Sequence, residues 1–295
     1  MSDDDARAPK AGSHLSFDYN QNPNQVPTCP RHPERVAYVR CQRCGRPACP
    51  ECQRPAAVGI QCVTCVVEAQ RQAPIHRTPM GGAVRRGQEP VVTYTIIGIC
   101  ALMFVAQLAI PGWTNRFLYA PVAGVDEPWR FLTAAFLHST AFYGHILMNM
   151  WALYIVGQFL EPVLGRARYI SMCLLSAVGG SVAVLLLAHP GQAVVGASGM
   201  VFGLFGAMIP VLAKLGRSAT QFVILIAING VIGFVVPGIS WQGHLGGLIV
   251  GLALGYGFAH TPHDKRKLFG WLLPTGMAVI LAAIVLIKYA QVGVL

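Results

Sequence analysis

The distribution of apolar residues divides the chain into a polar first third and an apolar remainder. Residues 1–90 are mostly polar, and after residue 90 long apolar runs alternate with short polar loops. A run of roughly 20 apolar residues is long enough to cross a bilayer as a helix. The pattern predicts an all-α polytopic membrane protein with seven spans, the fourth and fifth short and glycine-rich: 92–110, 141–160, 168–188, 197–214, 220–236, 241–259 and 271–290.

Composition supports this assignment. Of the 295 residues, 54% are hydrophobic and only 12% are charged, a balance too apolar for an ordinary soluble domain. The net charge of +10 could indicate nucleic acid. We favour the interpretation that the basic residues mark the cytoplasmic loops of a membrane protein, and we expect no nucleic-acid partner.

The basic residues fall in alternate loops, which predicts an orientation. The remaining loops are poor in Lys and Arg, with only Arg116 and Arg130 between the first two spans. By the positive-inside rule we expect a multi-pass protein of the cell (plasma) membrane, with its N-terminus cytoplasmic and its C-terminus outside. Because the first 90 residues are polar, we expect no secretory signal peptide. The basic clusters are Arg85 and Arg86, Arg166 and Arg168, Lys214 and Arg217, and Lys265, Arg266 and Lys267.

The polar third contains eight potential metal ligands. They form four pairs with two residues between the members of each pair: Cys29 and His32, Cys41 and Cys44, Cys49 and Cys52, and Cys62 and Cys65. This spacing lets both side chains of a pair reach one tetrahedral Zn²⁺, so eight ligands suit two zinc ions. Spacing does not fix the pairing. We expect a cross-braced arrangement, with the first and third pairs on one ion and the second and fourth on the other.

Residues 29–66 resemble the B-box/RING-like family of small zinc-binding modules. The alternative is a disulfide-rich domain, but seven cysteines with a well-placed histidine fit metal better, and this end should lie in the reducing cytoplasm. The zinc would be structural, since so short a segment has little core of its own. The module could recruit a cytoplasmic protein partner. Residues 1–28 are predicted to be a disordered tail, and residues 67–89 a linker that precedes a membrane domain at 90–295.

Two polar residues in the apolar region point to nucleophilic catalysis. Ser198 lies between Gly196 and Gly199 at the start of the fourth run, where a peptide backbone could approach its hydroxyl. His244 lies in the sixth run, and a histidine within a membrane span is costly and therefore a functional candidate. The predicted topology puts both at the outer ends of their spans. A serine with a histidine provides a nucleophile and its base.

His145 and Asn149 lie four residues apart in the second run, so they share one helical face. Alone, such a pair would most simply form interhelical hydrogen bonds. With Ser198 and His244 at the same depth, we interpret the pair as donors to a developing oxyanion. The loop at 111–140 is long for a helical bundle and rich in aromatic residues, and it could lie in the outer leaflet beside the bundle.

The acidic residues after residue 90 exclude several other classes of membrane protein. All four lie in predicted loops or at span ends, so none is available beside His244: Asp126, Glu127, Glu161 and Asp264. We therefore expect a Ser–His dyad without a third member. An aspartyl protease needs paired carboxylates, and a carboxylate-driven transporter needs intramembrane ones. The sequence also lacks the His-Glu-x-x-His motif of membrane metalloproteases.

These motifs together resemble the rhomboid intramembrane serine proteases, over about residues 90–290. The matching segments are Trp129-Arg130, His145-x-x-x-Asn149, Gly196-x-Ser198-Gly199 and His244-x-x-Gly247. The resemblance implies a rhomboid-like bundle of seven transmembrane helices (6+1). It also implies a Ser198–His244 dyad that needs no cofactor and cleaves single-span membrane proteins in or near their spanning helix.

The resemblance also assigns supporting roles. His145 and Asn149 help to form the oxyanion hole, Phe202 packs its ring against the catalytic histidine, and Gly196 and Gly247 let spans four and six approach closely. We interpret His138 as a loop histidine. The alternative is a non-catalytic rhomboid-like protein that binds transmembrane helices, although such members lose the serine or the histidine.

Overall fold

The computed structural model of the chain describes residues 26–72, 78, 80–81, 89–236 and 238–293. Backbone contacts divide the chain into two compact units, residues 1–74 and 75–295. All but the last three residues of the predicted tail lie outside the described residues, as does most of the predicted linker beyond residue 72. The final helix of the first unit runs to Gln72, so it continues six residues into the predicted linker.

The first unit is a small module of two β-hairpins and one helix. Strand β1 pairs with β2 and β3 with β4, both antiparallel. Its buried centre consists mainly of cysteine side chains, with two alanines, so few apolar residues contribute to a core. The elements are β1 Thr28–Cys29, β2 His32–Val36, β3 Gln53–Pro55, β4 Ile60–Cys62 and α1 Val63–Gln72.

The second unit is helical. Four of its described helical segments are long and apolar enough to cross a membrane, namely α2, α5, α6 and the segment His263–Gln291, which contains α10. Helices α7 and α8 are apolar but shorter. A helical membrane fold is thereby confirmed, and the count of seven spans stays a prediction. The helices are α2 Val91–Ala109, α3 Trp113–Phe117, α4 Arg130–Thr133, α5 Gly144–Leu164, α6 Arg166–Leu187, α7 Ser198–Lys214, α8 Thr220–Val235, α9 Trp241–His260 and α10 Arg266–Gln291.

Helices α6, α7 and α9 form the centre of this unit, and the α7–α9 contact is the most extensive helix pair. Small residues at four-residue spacing permit it. A Cβ built on Gly247 would overlap the carbonyl oxygen of Gly199, and one on Gly251 would overlap that of Gly203. Interfaces of this kind let helix backbones approach closely in a membrane, where the hydrophobic effect does not drive helices together.

A buried carboxylate joins the end of α5 to the start of α2. Glu161, in the last turn of α5, is 1% exposed and accepts hydrogen bonds from the backbone N–H groups of Val92 and Thr93 at 3.0 and 2.9 Å. These groups lie in the first turn of α2, where N–H groups lack intrahelical acceptors and a negative charge is favourable. Glu161 is thus a structural cap, remote from the predicted dyad.

Candidate functional site

Ser198 lies at the first position of α7 and is half-buried. The first N–H groups of a helix have no intrahelical acceptor, so the backbone around Ser198 presents free donors. Gly196 precedes it with a φ of 133°, a conformation that L side chains rarely adopt. The Gly196 N–H donates to the carbonyl of Ala134 at 2.9 Å, which ties this turn to the long loop before α5. The serine therefore occupies a fixed and accessible helix start.

His244 lies in the first turn of α9. Ser240 caps that helix, since its Oγ accepts the Gly243 N–H at 3.2 Å. The imidazole stacks on the ring of Phe202, with 4.1 Å between centroids and 12° between planes. Phe202 is one turn after Ser198 on α7, and helical side chains lean toward the N-terminus. The stack thus holds the His244 ring against the N-terminal half of α7, the helix that begins with Ser198.

No carboxylate orients His244 among the described residues. Its Nδ1 is buried without a hydrogen-bond partner in that part of the chain. The contact that orients the ring is the Phe202 stack. In a triad a carboxylate would accept the Nδ1 proton, and the dyad without a third member stays a prediction.

His145 faces the serine from α5. A Cβ built on Gly196 would lie 2.7 Å from His145 Nε2 and 3.7 Å from Ser198 Oγ, so the ring and the hydroxyl flank one small space. His145 Nδ1 accepts the backbone N–H of Ser139 at 3.2 Å. In the neutral ring this bond leaves the proton on Nε2, the nitrogen that faces this space. His145 is thus arranged as a donor.

Asn149 is buried one turn further along α5. Its Nδ2 donates to the carbonyl of His145 at 2.7 Å. An amide group has two hydrogens, so one donor is used within the helix and one remains.

The two predicted glycines have different surroundings. Gly247 lies against Gly199 in the α7–α9 contact, as the resemblance implies. Gly196 was expected at the same contact, and it lies instead against His145 of α5. The reason is its position two residues before α7 begins, in a turn that needs a positive φ.

Arg130 organises the loop between α2 and α5. It is 8% exposed, pairs with Glu127 at 2.5 Å, and donates to the carbonyls of Asn115 and Leu118 at 2.7 and 2.8 Å. The neighbouring Trp129 is half exposed and forms no comparable set of bonds in the described structure. Of this pair, Arg130 fixes the conformation of the loop. The same loop contains Ala134, whose carbonyl accepts the hydrogen bond from Gly196 in the turn before Ser198.

His138 was interpreted as a loop histidine, and its environment is a finding that the sequence did not predict. It is fully buried, and its ring lies 5.2 Å from that of His145 between centroids. Gln107 of α2 holds its backbone with two hydrogen bonds of 2.9 Å. The one feature of the sequence that could have indicated this burial is the position of a polar residue in an apolar loop segment.

In the first unit the eight predicted ligands form two groups. Cys29, His32, Cys49 and Cys52 make one, and Cys41, Cys44, Cys62 and Cys65 the other, with ligand atoms all within 4.8 Å of one another. Tetrahedral Zn–S bonds of about 2.3 Å separate two sulfurs by about 3.8 Å. The Sγ atoms of Cys44 and Cys62 are 3.8 Å apart, and His32 Nδ1 lies 3.2 Å from Cys49 Sγ. Both groups therefore fit Zn²⁺.

The environment of the Cys41 thiol suits a cation, because metal binding requires a thiolate, whereas burial raises the pKa of Cys52, Cys62 and Cys65. Burial alone would raise the pKa of Cys41, but the backbone N–H groups of Cys62, Cys44 and Arg43 donate to its sulfur and bring the pKa down to about 6. All nine cysteines are free thiols in the structure, which disfavours the disulfide alternative.

These features define a helical membrane protein that brings a serine, a histidine and further donors together at one end of its bundle. Comparison with known families matches a rhomboid domain to residues 125–261. The chain is 31% identical to the putative rhomboid protease YdcA of Bacillus subtilis (strain 168) over 178 residues, which cover 57% of this chain and 87% of that protein. The chain belongs to the rhomboid family.

Longer relatives match as well. The rhomboid protease GluP of the same organism is 30% identical over 219 residues, 70% of this chain and 42% of that protein. RHOMBOID-like protein 1 of Arabidopsis thaliana is 36% identical over 143 residues, 46% of this chain and 36% of that protein. The chain thus spans less than half of the length of these two relatives. The rhomboid match lies wholly within the second unit.

Proposed function

We propose that this chain is an intramembrane serine endopeptidase that cleaves single-span membrane proteins in or near their membrane-spanning helix. Membership of a family that includes rhomboid proteases supports the reaction class. The observation that carries the assignment is the stack of Phe202 on His244, which holds an imidazole against α7 one turn after the half-buried Ser198. A nucleophile and its base need this proximity.

In the proposed first step, Ser198 Oγ attacks the scissile carbonyl carbon while His244 accepts the hydroxyl proton. The carbonyl oxygen gains negative charge, and donors fixed before the reaction stabilise it. His145 Nε2–H, the second amide hydrogen of Asn149 and the backbone N–H groups at the start of α7 serve this role. The geometry of His145 supports its part in this role, because the His145 ring and Ser198 Oγ flank the same space beside Gly196.

In the second step the C–N bond breaks, and the imidazolium of His244 gives its proton to the departing amine. The N-terminal part of the substrate remains as an ester on Ser198. Water, deprotonated by His244, then attacks the ester and releases the acid, which restores the serine. Water must reach the site, and polar residues at membrane depth are tolerated where they line a wet cavity.

The chain is proposed to lie in the cell membrane with seven spans, its N-terminus in the cytoplasm and its C-terminus outside. Two apolar helices, α7 and α8, have 17 and 16 residues. Each is short for a bilayer of average thickness, and a shorter helix is accommodated by local thinning. With this orientation Ser198 and His244 open toward the outer surface.

The first unit is proposed to bind two structural Zn²⁺ ions, one in each ligand group. Zinc bonding there would supply folding free energy that the small core does not. A cytoplasmic protein is the partner we propose for this module, and we propose no nucleic acid.

The test is cleavage of a generic single-span substrate by the purified protein in liposomes. We expect Ser198→Ala and His244→Ala to abolish cleavage. Two matched controls lie far from the dyad: Ser171→Ala near the start of α6, and His260→Ala at the other end of α9. Both should cut at the wild-type rate. Equal activity of Ser198→Ala and wild type would refute the proposed nucleophile.

An inactive wild type would leave a choice between a missing substrate and a helix-binding role. A serine-reactive fluorophosphonate separates these two possibilities. Labelling of wild type but not of Ser198→Ala would indicate a competent enzyme that lacks its substrate. Absence of labelling in both would favour the non-catalytic alternative.

A further inference from the structure

A cavity lies at the end of the bundle opposite to the candidate active site. Its volume is about 460 Å³, within the usual range for ligand pockets. It is bounded by the starts of α6 and α10 and by the turn that follows α9. His244 lies in the first turn of α9 and His260 at its last position, so the cavity is separated from the dyad by the length of that helix. It has no part in the proposed reaction.

Four basic side chains from two separate loops line this cavity: Arg166, Arg168, Arg266 and Lys267. Arg168 is fixed at the wall, because its guanidinium donates to the carbonyls of Met80 and Arg266 and lies 5.8 Å from the ring centroid of Phe258. The Nε of Arg266 is buried and has no hydrogen-bond partner among the described residues. A buried donor without an acceptor is unfavourable, and an anionic ligand would supply the acceptor.

The acidic groups nearby leave an excess of positive charge. Asp264 is an exposed part of the wall. Glu161 lies 3.9 Å from Arg166, but its oxygens also accept the N–H groups at the start of α2. Helices α6 and α10 both begin at the cavity, with Arg166 and Arg266 as their first residues. Their free N–H groups and positive dipole ends add to the attraction for an anion.

An apolar surface adjoins the cationic wall. Trp271 lines the cavity and is 69% exposed, and Leu268 and Leu272 on the same helix are 58% and 51% exposed. Tryptophan is enriched where the hydrocarbon of a membrane meets water. A ligand that touches both parts must carry an anionic group at one end and hydrocarbon at the other. Inorganic phosphate or a soluble phosphate ester would leave the apolar part uncovered.

We propose that this cavity binds the phosphate headgroup of an anionic phospholipid, whose acyl chains lie along α10 beside Trp271. Basic pockets between membrane helices on the cytoplasmic side bind such headgroups. The inference rests on the proposed placement in a membrane and not on proteolysis. The site would tether the turn between α5 and α6 to that between α9 and α10 through one lipid.

The test uses the full-length Ser198→Ala variant in nanodiscs, so that catalysis does not enter the readout. Quenching of Trp271 fluorescence is measured with brominated phosphatidylglycerol or brominated phosphatidylcholine as a minor lipid, with Trp271→Phe as the background. We expect phosphatidylglycerol to be preferred at least about fivefold, the effect of roughly one favourable cation contact. Equal quenching by both lipids would overturn the proposal.

Two charge-matched double variants locate the effect. Arg266→Gln/Lys267→Gln should lose the preference, whereas Lys214→Gln/Arg217→Gln removes the same charge from the end of α7 and the loop that follows it, and should keep the preference. The single substitution Lys267→Glu changes the charge by the same amount and keeps Arg266, so it should also lower the preference and serves if the first double variant does not fold. A preference lost equally in both double variants would reduce the effect to general surface charge. Loss of quenching on addition of millimolar glycerol phosphate would assign the site to a soluble anion, against the proposal.

Discussion

At the scale of single residues, the proposed base is held by an aromatic stack and not by a carboxylate. Phe202→Ala removes that stack, and we expect kcat for cleavage to fall by about 10²-fold with KM little changed. The reason is that a displacement of the base by about 1 Å costs this much. The measurement is steady-state cleavage in liposomes.

Phe205→Ala is the matched control. Phe205 is as buried as Phe202, and the two rings touch each other, but Phe205 packs toward Phe222 instead of His244. Both variants should lose about 3–5 kcal/mol of stability. Only Phe202→Ala should lose turnover beyond the fraction of protein that unfolds. Equal loss of turnover in both would mean that the stack on His244 has no particular importance.

Gly196 makes a second prediction at this scale. Gly196→Ala would place a Cβ 2.7 Å from the His145 ring in a backbone with a φ of 133°. We expect cleavage to fall strongly, because the proposed oxyanion donor must move and the turn bears strain of about 1–3 kcal/mol. Gly191→Ala lies in the same loop, where the nearest atom is 3.7 Å away, and should cut normally. Normal cleavage by Gly196→Ala would contradict the close approach of His145.

Some of these site residues could be predicted from the sequence, but the surroundings of others could not. Ser198 and His244 stand out because polar residues in apolar runs need a reason, and His145 and Asn149 share a helical face. The surroundings of Gly196 and His138 depend on contacts between α5 and the loops before α5 and α7. Such contacts are set by the packing of distant segments, which local patterns do not encode.

At the scale of elements, the α7–α9 contact depends on facing small residues. Gly251→Val would drive a side chain into the Gly203 backbone, and we expect a loss of stability of roughly 1–3 kcal/mol or more. Cleavage should fall with it, because these two helices carry the proposed dyad. Thermal unfolding in detergent measures the first effect and the liposome assay the second.

Gly230→Val on α8 is the control, since a Cβ there meets no atom within 4 Å. Valine is a better helix former than glycine, so this variant should be as stable as wild type or slightly more so. If both valine variants unfold at the wild-type temperature, the α7–α9 interface is not close-packed in solution.

Helix positions follow from the sequence more reliably than the loops do. The long apolar runs predicted helices that the structure places within about five residues of their expected ends, because lipid-facing and buried positions are both apolar. Helices α3 and α4, within 111–140, were not predicted. They depend on Arg130, whose carbonyl acceptors lie 12 and 15 residues earlier in the chain, a pattern without a periodic signal.

At the scale of the whole molecule, the chain joins a rhomboid unit to a module whose centre is made mostly of cysteines. Two ions are expected per chain, and Cys41→Ala should reduce zinc content from two to about one, since it breaks one ligand group and spares the other. Cys173→Ala removes a buried cysteine of α6 and should retain both ions. The measurement is the zinc-to-protein ratio by atomic emission.

Chelation then tests whether the two units depend on each other. Removal of zinc should unfold residues 29–66, because metal binding supplies most of the folding free energy of so small a module. Protease cleavage within that segment measures the unfolding. The proposed dyad uses no metal, so cleavage of a substrate without a cytoplasmic tail should persist after chelation at the wild-type rate. This outcome follows from the chemistry of the site, because none of the proposed catalytic residues is a cysteine. If activity were lost on chelation and restored by zinc, the module would instead regulate the membrane unit, and proteolysis would depend on both units.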